Sequence, residues 1–136
     1  MTRSVTVHVV AAIVKKADSV FAARRALHKA AGGKWEFPGG KVESSENPLE
    51  ALVREIHEEL QVRLTVIQPF DRTETRVGDL IIDLDTYLCA FVDGEPRSSL
   101  DHDRFAWLEI SDLLDYDFAE PDLPAVKKLM RGQDDG

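Results

Sequence analysis

Three glutamates fall close together in one predicted helix and offer the clearest chemistry in this sequence. Glu55, Glu58 and Glu59 lie within a wedge of about 100° when residues are placed at helical spacing. Like charges at such spacings cost an isolated helix about 0.2–0.5 kcal/mol per pair. A solvated acidic face is one interpretation. The second is a bound divalent cation, which takes oxygen ligands and turns this repulsion into coordination.

The sequence around the glutamates predicts where the helix begins and which side faces a core. Asn47 is a suitable N-cap, Pro48 suits the first helical position, and Glu50 stands three residues after the cap. An apolar stripe runs beside the acidic wedge and consists of Leu49, Leu52, Val53, Ile56 and Leu60. We therefore expect an amphipathic helix that packs through this stripe.

These residues form part of a longer pattern that resembles the Nudix box, Gly-x5-Glu-x7-Arg-Glu-U-x-Glu-Glu-x-Gly-U, where U is a bulky aliphatic residue. The matching positions are Gly40, Glu46, Arg54, Glu55, Ile56, Glu58, Glu59 and Val62. One position departs, because Gln61 replaces the second glycine. That glycine normally lies just past the helix, where a left-handed conformation costs other residues about 1–2 kcal/mol. The departure concerns the helix terminus more than the chemistry, because every carboxylate is present.

The segment from Trp35 to Glu43 is similar to the MutT-type nucleoside triphosphate pyrophosphohydrolases of that family. The resemblance implies an α/β fold, a Nudix-type α/β/α sandwich with a mixed β-sheet between helices. Sequence patterns predict strands at 5–14, 20–24, 62–70, 74–77, 80–91 and 104–108, a helical turn at 111–114 and a closing helix at 124–130. We expect a single domain over residues 1–131 and a polar tail over residues 132–136.

The resemblance also implies roles for the residues of the box. Glu58, Glu59 and the Gly39 carbonyl match metal ligands, and Glu55 matches a metal ligand or the general base. Asp101 is the alternative base. Arg54 matches the arginine that orients a glutamate at the catalytic site. Supporting or phosphate-facing positions are expected for Gly40, Lys41 and Glu46.

Substrate contacts are implied at Arg25, Lys41, Phe118 and Asp122. A core position is the alternative for Phe118, and a helix cap is the alternative for Asp122. An ionised Asp122 accepts hydrogen bonds, either from the exocyclic amine of cytosine or from the N–H edge of guanine. The preferred base is therefore open between cytidine nucleotides, such as CTP or 5-methyl-dCTP, and 8-oxo-dGTP.

The activity implied by the resemblance is Mg²⁺-dependent hydrolysis of (deoxy)nucleoside triphosphates to the monophosphate and pyrophosphate, with Mn²⁺ as a substitute. Such an enzyme would clear oxidised or modified nucleotides from the pool. Hydrolysis of nucleoside-diphosphate sugars is an alternative within the family. Outside enzyme function, the sequence is compatible with a Nudix-like module that binds a nucleotide without hydrolysing it, or with an acidic interaction domain without a ligand.

Composition limits the partners and the compartment. A net charge of −8 argues against non-specific nucleic-acid binding, which needs a basic surface. No stretch is apolar and long enough to span a bilayer. The lone Cys89 cannot form an internal disulfide, which favours a reducing, cytoplasmic location. We expect a small-molecule nucleotide as the partner, with monomer and homodimer both open.

Three polar residues outside the box are predicted to face solvent. Asp83 and Asp85 alternate with apolar residues along one strand, the pattern of a sheet with one solvated face. His102, next to Asp101, is expected to be an exposed loop histidine.

Overall fold

Seven strands form one mixed sheet in the computed structural model of the chain, which describes residues 4–134. The strands are β1 Val5–Lys16, β2 Ser19–Arg25, β3 Trp35–Glu36, β4 Gly39–Lys41, β5 Leu64–Val77, β6 Leu80–Phe91 and β7 His102–Glu109. Their order is β3-β2-β1-β6-β5, with β4 paired to β1 and β7 paired to β2. β1 and β6 are parallel, from Val5 opposite Leu80 to Val14 opposite Cys89. The other strand pairings are antiparallel.

Two helices cover opposite faces of this sheet. α1, Pro48–Leu60, buries Leu52 and Ile56 in one hydrophobic cluster, and α2, Leu123–Asp134, buries Val126 in the other. Two 3₁₀ helices, Ile110–Asp115 and Glu120–Asp122, lead into α2. The predicted α/β/α sandwich with a mixed sheet is thus confirmed. Within residues 4–134, neither helix has the length and apolarity that crossing a membrane requires.

Some predicted boundaries differ from the structure. The strands predicted at 62–70 and 74–77 are one strand, β5, whose pairing with β6 is irregular between Val66 and Gln68 and again between Pro69 and Asp71. Bulges of this kind accommodate a proline, which has no N–H for the ladder. Residues 132–134 of the predicted tail belong to α2, whereas residues 135–136 lie outside the described part of the chain.

The start of α1 follows the sequence, but its buried face is rotated from the predicted stripe. The Asn47 side chain accepts a hydrogen bond from the Glu50 N–H at 2.9 Å, so the predicted N-cap is confirmed. Leu49 and Val53 are 46% and 40% exposed, whereas Ala51 is fully buried. The prediction for those two residues is wrong because the sheet contacts the side of α1 that carries Ala51, Leu52, Ile56 and Leu60.

The solvated face predicted for β6 is also wrong, because Asp83 and Asp85 are buried. Arg72 of β5 donates two hydrogen bonds to the Asp83 carboxylate, at 3.1 and 2.9 Å. His8 of β1 places Nε2 at 2.7 Å from Asp85 Oδ2. Each aspartate thus obtains its partner from a neighbouring strand, which alternation along β6 alone does not reveal.

Candidate active site

A cleft of about 620 Å³ extends from α1 and β4 to the 3₁₀ helix at Glu120–Asp122. Most of the predicted site residues line it, namely Arg25, Gly39, Gly40, Lys41, Glu55, Glu58, Glu59, Asp101 and Asp122. Arg54, Glu46 and Phe118 are not among its lining residues. The fold therefore brings together residues that are up to 97 positions apart in the chain, Arg25 and Asp122.

Carboxylates crowd one end of the cleft. Burial raises the pKa of Glu59 to about 8, and the neighbouring Asp101, Glu36 and Glu55 carboxylates add to the increase. Burial also raises the pKa of Glu55. A deprotonated group in such surroundings lacks the counter-charge that would offset its lost solvation. This end of the cleft therefore favours a positively charged ligand.

The two glycines of β4 allow the sheet to pass close beneath these carboxylates. β4 pairs with β1 so that Gly40 lies opposite Val10. A Cβ atom on Gly40 would collide with the Glu55 carboxyl group, and one on Gly39 would collide with the Val10 carbonyl oxygen. Backbone atoms leave room only for glycine at position 39, whereas a side chain at position 40 would displace the Glu55 carboxyl group. The Gly-Gly pair thus sets the distance between α1 and the floor of the cleft.

Arg54 lies behind the carboxylates and joins three of them. Its Nε and Nη2 atoms donate to Glu46 at 2.9 and 2.6 Å, in a two-pronged pairing. Its Nη1 atom donates to Glu55 and Glu58, each at 3.1 Å. The hydrogen bonds from Arg54, with a further one from the Glu43 N–H, lower the pKa of Glu46 to about 2. The predicted contact between Arg54 and glutamate is present, and Glu46 is its main partner.

Asp101 has a cationic partner that the sequence did not reveal. Lys29, from the loop between β2 and β3, places Nζ at 2.8 Å from Asp101 Oδ1. This hydrogen bond lowers the pKa of Asp101. The Asp101 carbonyl accepts the Ala26 N–H at 2.9 Å, which draws the same loop towards β7. No motif marks Lys29, because the contact depends on how the two loops meet.

Asp122 lines the same cleft, together with apolar residues that include Phe37 and Leu84. Its carboxyl group accepts the Phe37 N–H at 3.0 Å. Burial, with a smaller effect from the Glu36 charge, raises the pKa of Asp122 to about 8. Near neutral pH the raised pKa favours a protonated Asp122 carboxyl group, which both donates and accepts, over the ionised form expected from the sequence. Its hydrogen-bond partner is Phe37 rather than an end of α2.

Phe118 takes the core position rather than a place in the cleft. It is 4% exposed, and its ring centroid lies 5.3 Å from that of Phe37. Phe37 itself lines the cleft. The implied substrate contact of Phe118 is therefore corrected to packing behind Phe37, because the backbone of Phe118 bridges to Trp35 and holds the side chain within the core.

His102 is buried, so the prediction of an exposed loop histidine is wrong. It is the first residue of β7 and pairs with Arg25 of β2. Its Nε2 atom lies 3.0 Å from Glu36 Oε2, and its Nδ1 atom lies 3.1 Å from Ser99 Oγ. Glu36 lines the cleft although sequence reasoning did not select it. The sequence feature that could have indicated Glu36 is its position within the Trp35–Glu43 segment, which resembles MutT-type enzymes.

Comparison with known proteins identifies the family. The sequence matches the NUDIX domain over residues 4–129. The chain belongs to the Nudix family. Among its relatives, the CTP pyrophosphohydrolase of Escherichia coli K12 is 32% identical over 124 residues, which cover 91% of each chain. The 8-oxo-dGTP diphosphatase of the same strain is 32% identical over 114 residues, 84% of this chain and 88% of the relative.

A solved structure agrees with this assignment. The solution structure of the E. coli ORF135 protein is similar with a TM-score of 0.81 and 32% identity, and the match covers 94% of this chain and 91% of that one. Together with the relatives, it confirms the resemblance to MutT-type Nudix hydrolases. The chain is therefore an enzyme of the Nudix hydrolase class that acts on nucleotides.

Nudix hydrolases generally use a divalent metal, and the cleft has the chemistry to hold one. Within residues 4–134, no three His, Cys, Asp or Glu side chains already form a coordination shell. Glu55, Glu58, Glu59 and Asp101 nevertheless line one cleft with the Gly39 backbone. Carboxylate and carbonyl oxygens are the ligands of hard cations. Because burial and mutual repulsion disfavour the charged form of Glu59, these residues fit a divalent cation better than an empty cleft.

Proposed function

We propose that this Nudix hydrolase converts (deoxy)nucleoside triphosphates to the monophosphate and pyrophosphate in a Mg²⁺-dependent reaction, with Mn²⁺ able to substitute. The carrying observation is one cleft that is lined both by carboxylates and by apolar side chains, including Phe37 and Leu84. Such a cleft matches a ligand with an anionic chain on a cation and a flat base between apolar walls. The activities for which the two relatives are named support a nucleotide substrate.

Glu58, Glu59 and the Gly39 carbonyl would hold the cation, with Glu55 as a further ligand. When bound, the cation offsets the charge of the phosphate oxygens and lowers the pKa of a bound water. Lys41 and Arg25 also line the cleft and supply positive charge to the substrate. Arg54 keeps Glu55 and Glu58 in place from behind, through hydrogen bonds of 3.1 Å to each.

In the proposed reaction, water attacks a phosphorus atom of the triphosphate chain and forms a new P–O bond. The bond between that phosphorus and the oxygen that bridges the α- and β-phosphates breaks. The bridging oxygen leaves with the pyrophosphate if water attacks the α-phosphorus, and with the monophosphate if water attacks the β-phosphorus. A carboxylate takes the proton from the attacking water. Glu55 is the proposed base and Asp101 is the alternative, and both line the cleft. Loss of a general base lowers kcat about 10²–10⁴-fold, so Glu55→Gln and Asp101→Asn compared at saturating metal distinguish the two.

The decisive experiment compares Glu58→Gln with Glu74→Gln in an assay of Mg²⁺-dependent pyrophosphate release. Glu74 is an exposed residue of β5 outside the cleft, so its substitution controls for the loss of one charge. We expect the Glu58 variant to lose more than the about 10–100-fold that outer partners of a metal site cost. Near-normal turnover of Glu58→Gln would refute the assignment. Binding of a triphosphate by the wild type without any product would indicate a non-catalytic module.

A substrate panel defines the preferred base. It includes CTP, 5-methyl-dCTP, 8-oxo-dGTP and a nucleoside-diphosphate sugar, and it compares the wild type with Asp122→Asn. An asparagine keeps the acceptor for the Phe37 N–H but cannot ionise. We expect the preference ratio among bases to change, which would support a place for Asp122 at the base site. Preference of the wild type for 5-methyl-dCTP or 8-oxo-dGTP would support a role for this enzyme in cleaning the nucleotide pool. Unchanged ratios would remove Asp122 from the base site, and faster cleavage of the sugar nucleotide would favour that alternative substrate.

The proposal also includes a cytoplasmic location for the protein and a monomeric or homodimeric state. The single cysteine, Cys89, is a buried free thiol, which supports a reducing compartment and thus the cytoplasm. The negative net charge of −8 supports a small-molecule partner rather than nucleic acid. Light scattering of the purified protein decides between monomer and homodimer.

A further inference from the structure

The imidazole ring of His102 is buried behind the cleft and has a partner at each nitrogen. Its side chain is 0% exposed. Nε2 lies 3.0 Å from Glu36 Oε2, and Nδ1 lies 3.1 Å from Ser99 Oγ. Nδ1 also lies 3.9 Å from Glu59 Oε1. The ring therefore stands between a carboxylate at the carboxylate-rich end of the cleft and another on β3.

When the His102 ring is neutral, the acceptor-only Glu36 carboxylate fixes one direction for this chain of contacts. Ser99 Oγ accepts the Asp101 N–H at 3.1 Å, which leaves the hydroxyl hydrogen free for His102 Nδ1. With Nδ1 as an acceptor, the ring proton of neutral imidazole is on Nε2. Nε2 then donates to the Glu36 carboxylate, which can only accept. Each group thereby uses a complementary partner, and the ring has one preferred orientation.

Glu36 extends this chain into the cleft. Its second oxygen, Oε1, lies 3.5 Å from Arg25 Nη1, and the Arg25 Nε donates to the Ala30 carbonyl at 2.7 Å. Glu36 and Arg25 both line the cleft, whereas His102 does not. A carboxylate held by a buried donor has a fixed rotamer, and a neighbouring guanidinium is then held in turn. His102 thus acts on the cleft through Glu36 without facing it.

We propose that His102 is a positioning residue that orients Glu36, and through it Arg25, for substrate binding. The inference rests on the proposed triphosphatase function, because it assigns Arg25 and Glu36 to the substrate side of the same cleft. Removal of the Nε2–H donor frees both side chains, whereas the Nδ1 atom lies 3.9 Å from Glu59 Oε1, beyond hydrogen-bonding distance. We therefore expect kcat/KM to fall about 10–100-fold, the usual cost of losing an outer partner, with most of the change in KM.

The test is steady-state hydrolysis of CTP and 8-oxo-dGTP by His102→Phe, which keeps a ring but removes both nitrogens. His102→Gln restores an N–H donor towards Glu36 and should recover most of the KM. His28→Phe is the matched control, because His28 is an exposed histidine of the β2–β3 loop. A purely structural role would lower thermal stability in both His102 variants without the increase in KM and without recovery by glutamine.

A double-mutant cycle tests whether the effect passes through Glu36. Glu36→Gln combined with His102→Phe should be no worse than Glu36→Gln alone, because the donor then has no carboxylate to orient. Additive losses would overturn the inference. If His102→Phe does not fold, Ser99→Ala, which removes the contact to Nδ1, should raise KM in the same direction, and an unchanged KM there would also overturn it.

Turnover of the wild type separates this inference from the proposed function. If the wild type hydrolyses neither triphosphate, the proposed function fails and the role of His102 fails with it. If the wild type is active and His102→Phe has the wild-type KM, only the role of His102 fails. Activity of the wild type with a raised KM in His102→Phe and recovery in His102→Gln supports both.

Discussion

Two glutamates of the Nudix box, Glu46 just before α1 and Glu59 near the C-terminal end of α1, have different surroundings. At the N-terminal end, Glu46 pairs with Arg54 at 2.6 Å, and its pKa falls to about 2. At the C-terminal end, the nearest ring nitrogen to Glu59 is His102 Nδ1 at 3.9 Å, and burial raises the pKa of Glu59 to about 8. Both residues are glutamates of one sequence motif. Their surroundings differ because an arginine pairs directly with Glu46, whereas burial and the neighbouring Asp101, Glu36 and Glu55 carboxylates disfavour the charged form of Glu59.

The different surroundings of Glu46 and Glu59 suit different roles, namely structural support for Glu46 and metal binding for Glu59. Glu46 already has its counter-charge and is 12% exposed, so it gains little from a cation. Glu59 is also mostly buried, with 16% of its side chain exposed, yet a new cation would offset the cost of ionising it. The end that is less satisfied in the absence of ligand is therefore the end proposed to bind the metal. Strain of this kind is common where a fold retains a functional group at the expense of stability.

The largest expected effect is at the C-terminal end. Glu59→Gln should lose more than about 10–100-fold in kcat/KM, because a proposed metal ligand is removed rather than an outer partner. The same variant should be more stable than the wild type in EDTA, by about 1–3 kcal/mol, because a carboxyl group disfavoured by burial is replaced by a neutral amide. Activity assays and urea unfolding measure the two effects.

Glu74→Gln is the control, since it removes one charge from an exposed site of β5. Addition of Mg²⁺ should stabilise the wild type more than Glu59→Gln, because a ligand that binds only the folded state raises its stability. If Glu59→Gln were less stable than the wild type in EDTA, the claim that burial of Glu59 destabilises the protein, in contrast to the Glu46–Arg54 pair, would be wrong.

A smaller loss is expected at the N-terminal end. Arg54→Gln should lower kcat/KM about 10–100-fold, because Glu55 and Glu58 lose an orienting partner. It should also lower the thermal stability at neutral pH, where the Glu46 pair is intact. The depressed pKa of Glu46 means that its stabilisation is present above about 4.5 and is lost as the pH falls through about 2.

The pH dependence of unfolding checks the source of that loss. The stability difference between the wild type and Arg54→Gln should shrink as the pH is lowered from 7 towards 2. Glu46→Gln should show the same trend, since either variant removes the pair. A difference that stays constant over this range would assign the stability effect to packing of the Arg54 side chain instead.

Asp122 extends the comparison to a buried carboxyl group that has a backbone partner and no arginine. Its pKa is raised to about 8, so the folded state retains a proton that the unfolded state releases near pH 4. Stability should therefore fall as the pH rises between about 4 and 8, by up to about 1.4 kcal/mol per pH unit. Glu59, whose pKa is also raised to about 8, adds to the slope over the same range, so Asp122→Asn should reduce the slope by the Asp122 share while keeping the bond to the Phe37 N–H. Urea unfolding at intervals across this range measures the slope, and identical slopes in the two proteins would contradict the raised pKa.

The helix and its carboxylates were predictable from sequence because their determinants are local. Asn47, Pro48 and the spacing of Glu55, Glu58 and Glu59 all fall within one short segment, and helical geometry alone places them on one side. The box also predicted the fold class, because a resemblance to a family carries its topology. The predicted strand at 80–91 matches β6 in both ends.

The errors concern contacts between distant segments. His102 appeared to be a loop residue because Glu36, its partner, is 66 positions away. Asp85 appeared solvated because its partner His8 is 77 positions away. Lys29 carries no motif, and Leu49 and Val53 satisfied the helical period while facing solvent. Periodicity predicts that one side of a helix or strand is buried, but the packing of the whole sheet decides which residues that side includes.

The smallest expected effect on stability concerns Gln61, the residue at which α1 ends. Gln61 has φ 55° and ψ 32°, the left-handed conformation implied by the missing glycine. Its side chain compensates, since Nε2 donates to the Glu58 carbonyl at 3.1 Å and approaches the Glu59 carbonyl at 3.4 Å. The side-chain bond is worth about 0.5–1.5 kcal/mol, and the left-handed backbone costs about 1–2 kcal/mol in residues other than glycine.

Loss of the side-chain bond lowers stability, and relief of the left-handed backbone raises it. The two effects nearly cancel in Gln61→Gly, whereas only the loss applies to Gln61→Ala. Gln61→Gly loses the amide bond but relieves the backbone, so its stability should lie within about 1 kcal/mol of the wild type. Gln61→Ala loses the bond without relief and should be less stable by about 0.5–1.5 kcal/mol. Urea unfolding of both variants measures the difference. Equal stabilities for alanine and glutamine would show that the amide does not hold the carbonyls of Glu58 and Glu59, and that the C-terminal end of α1 relies on burial of Leu60 and on the backbone bond from the Gln61 N–H to the His57 carbonyl.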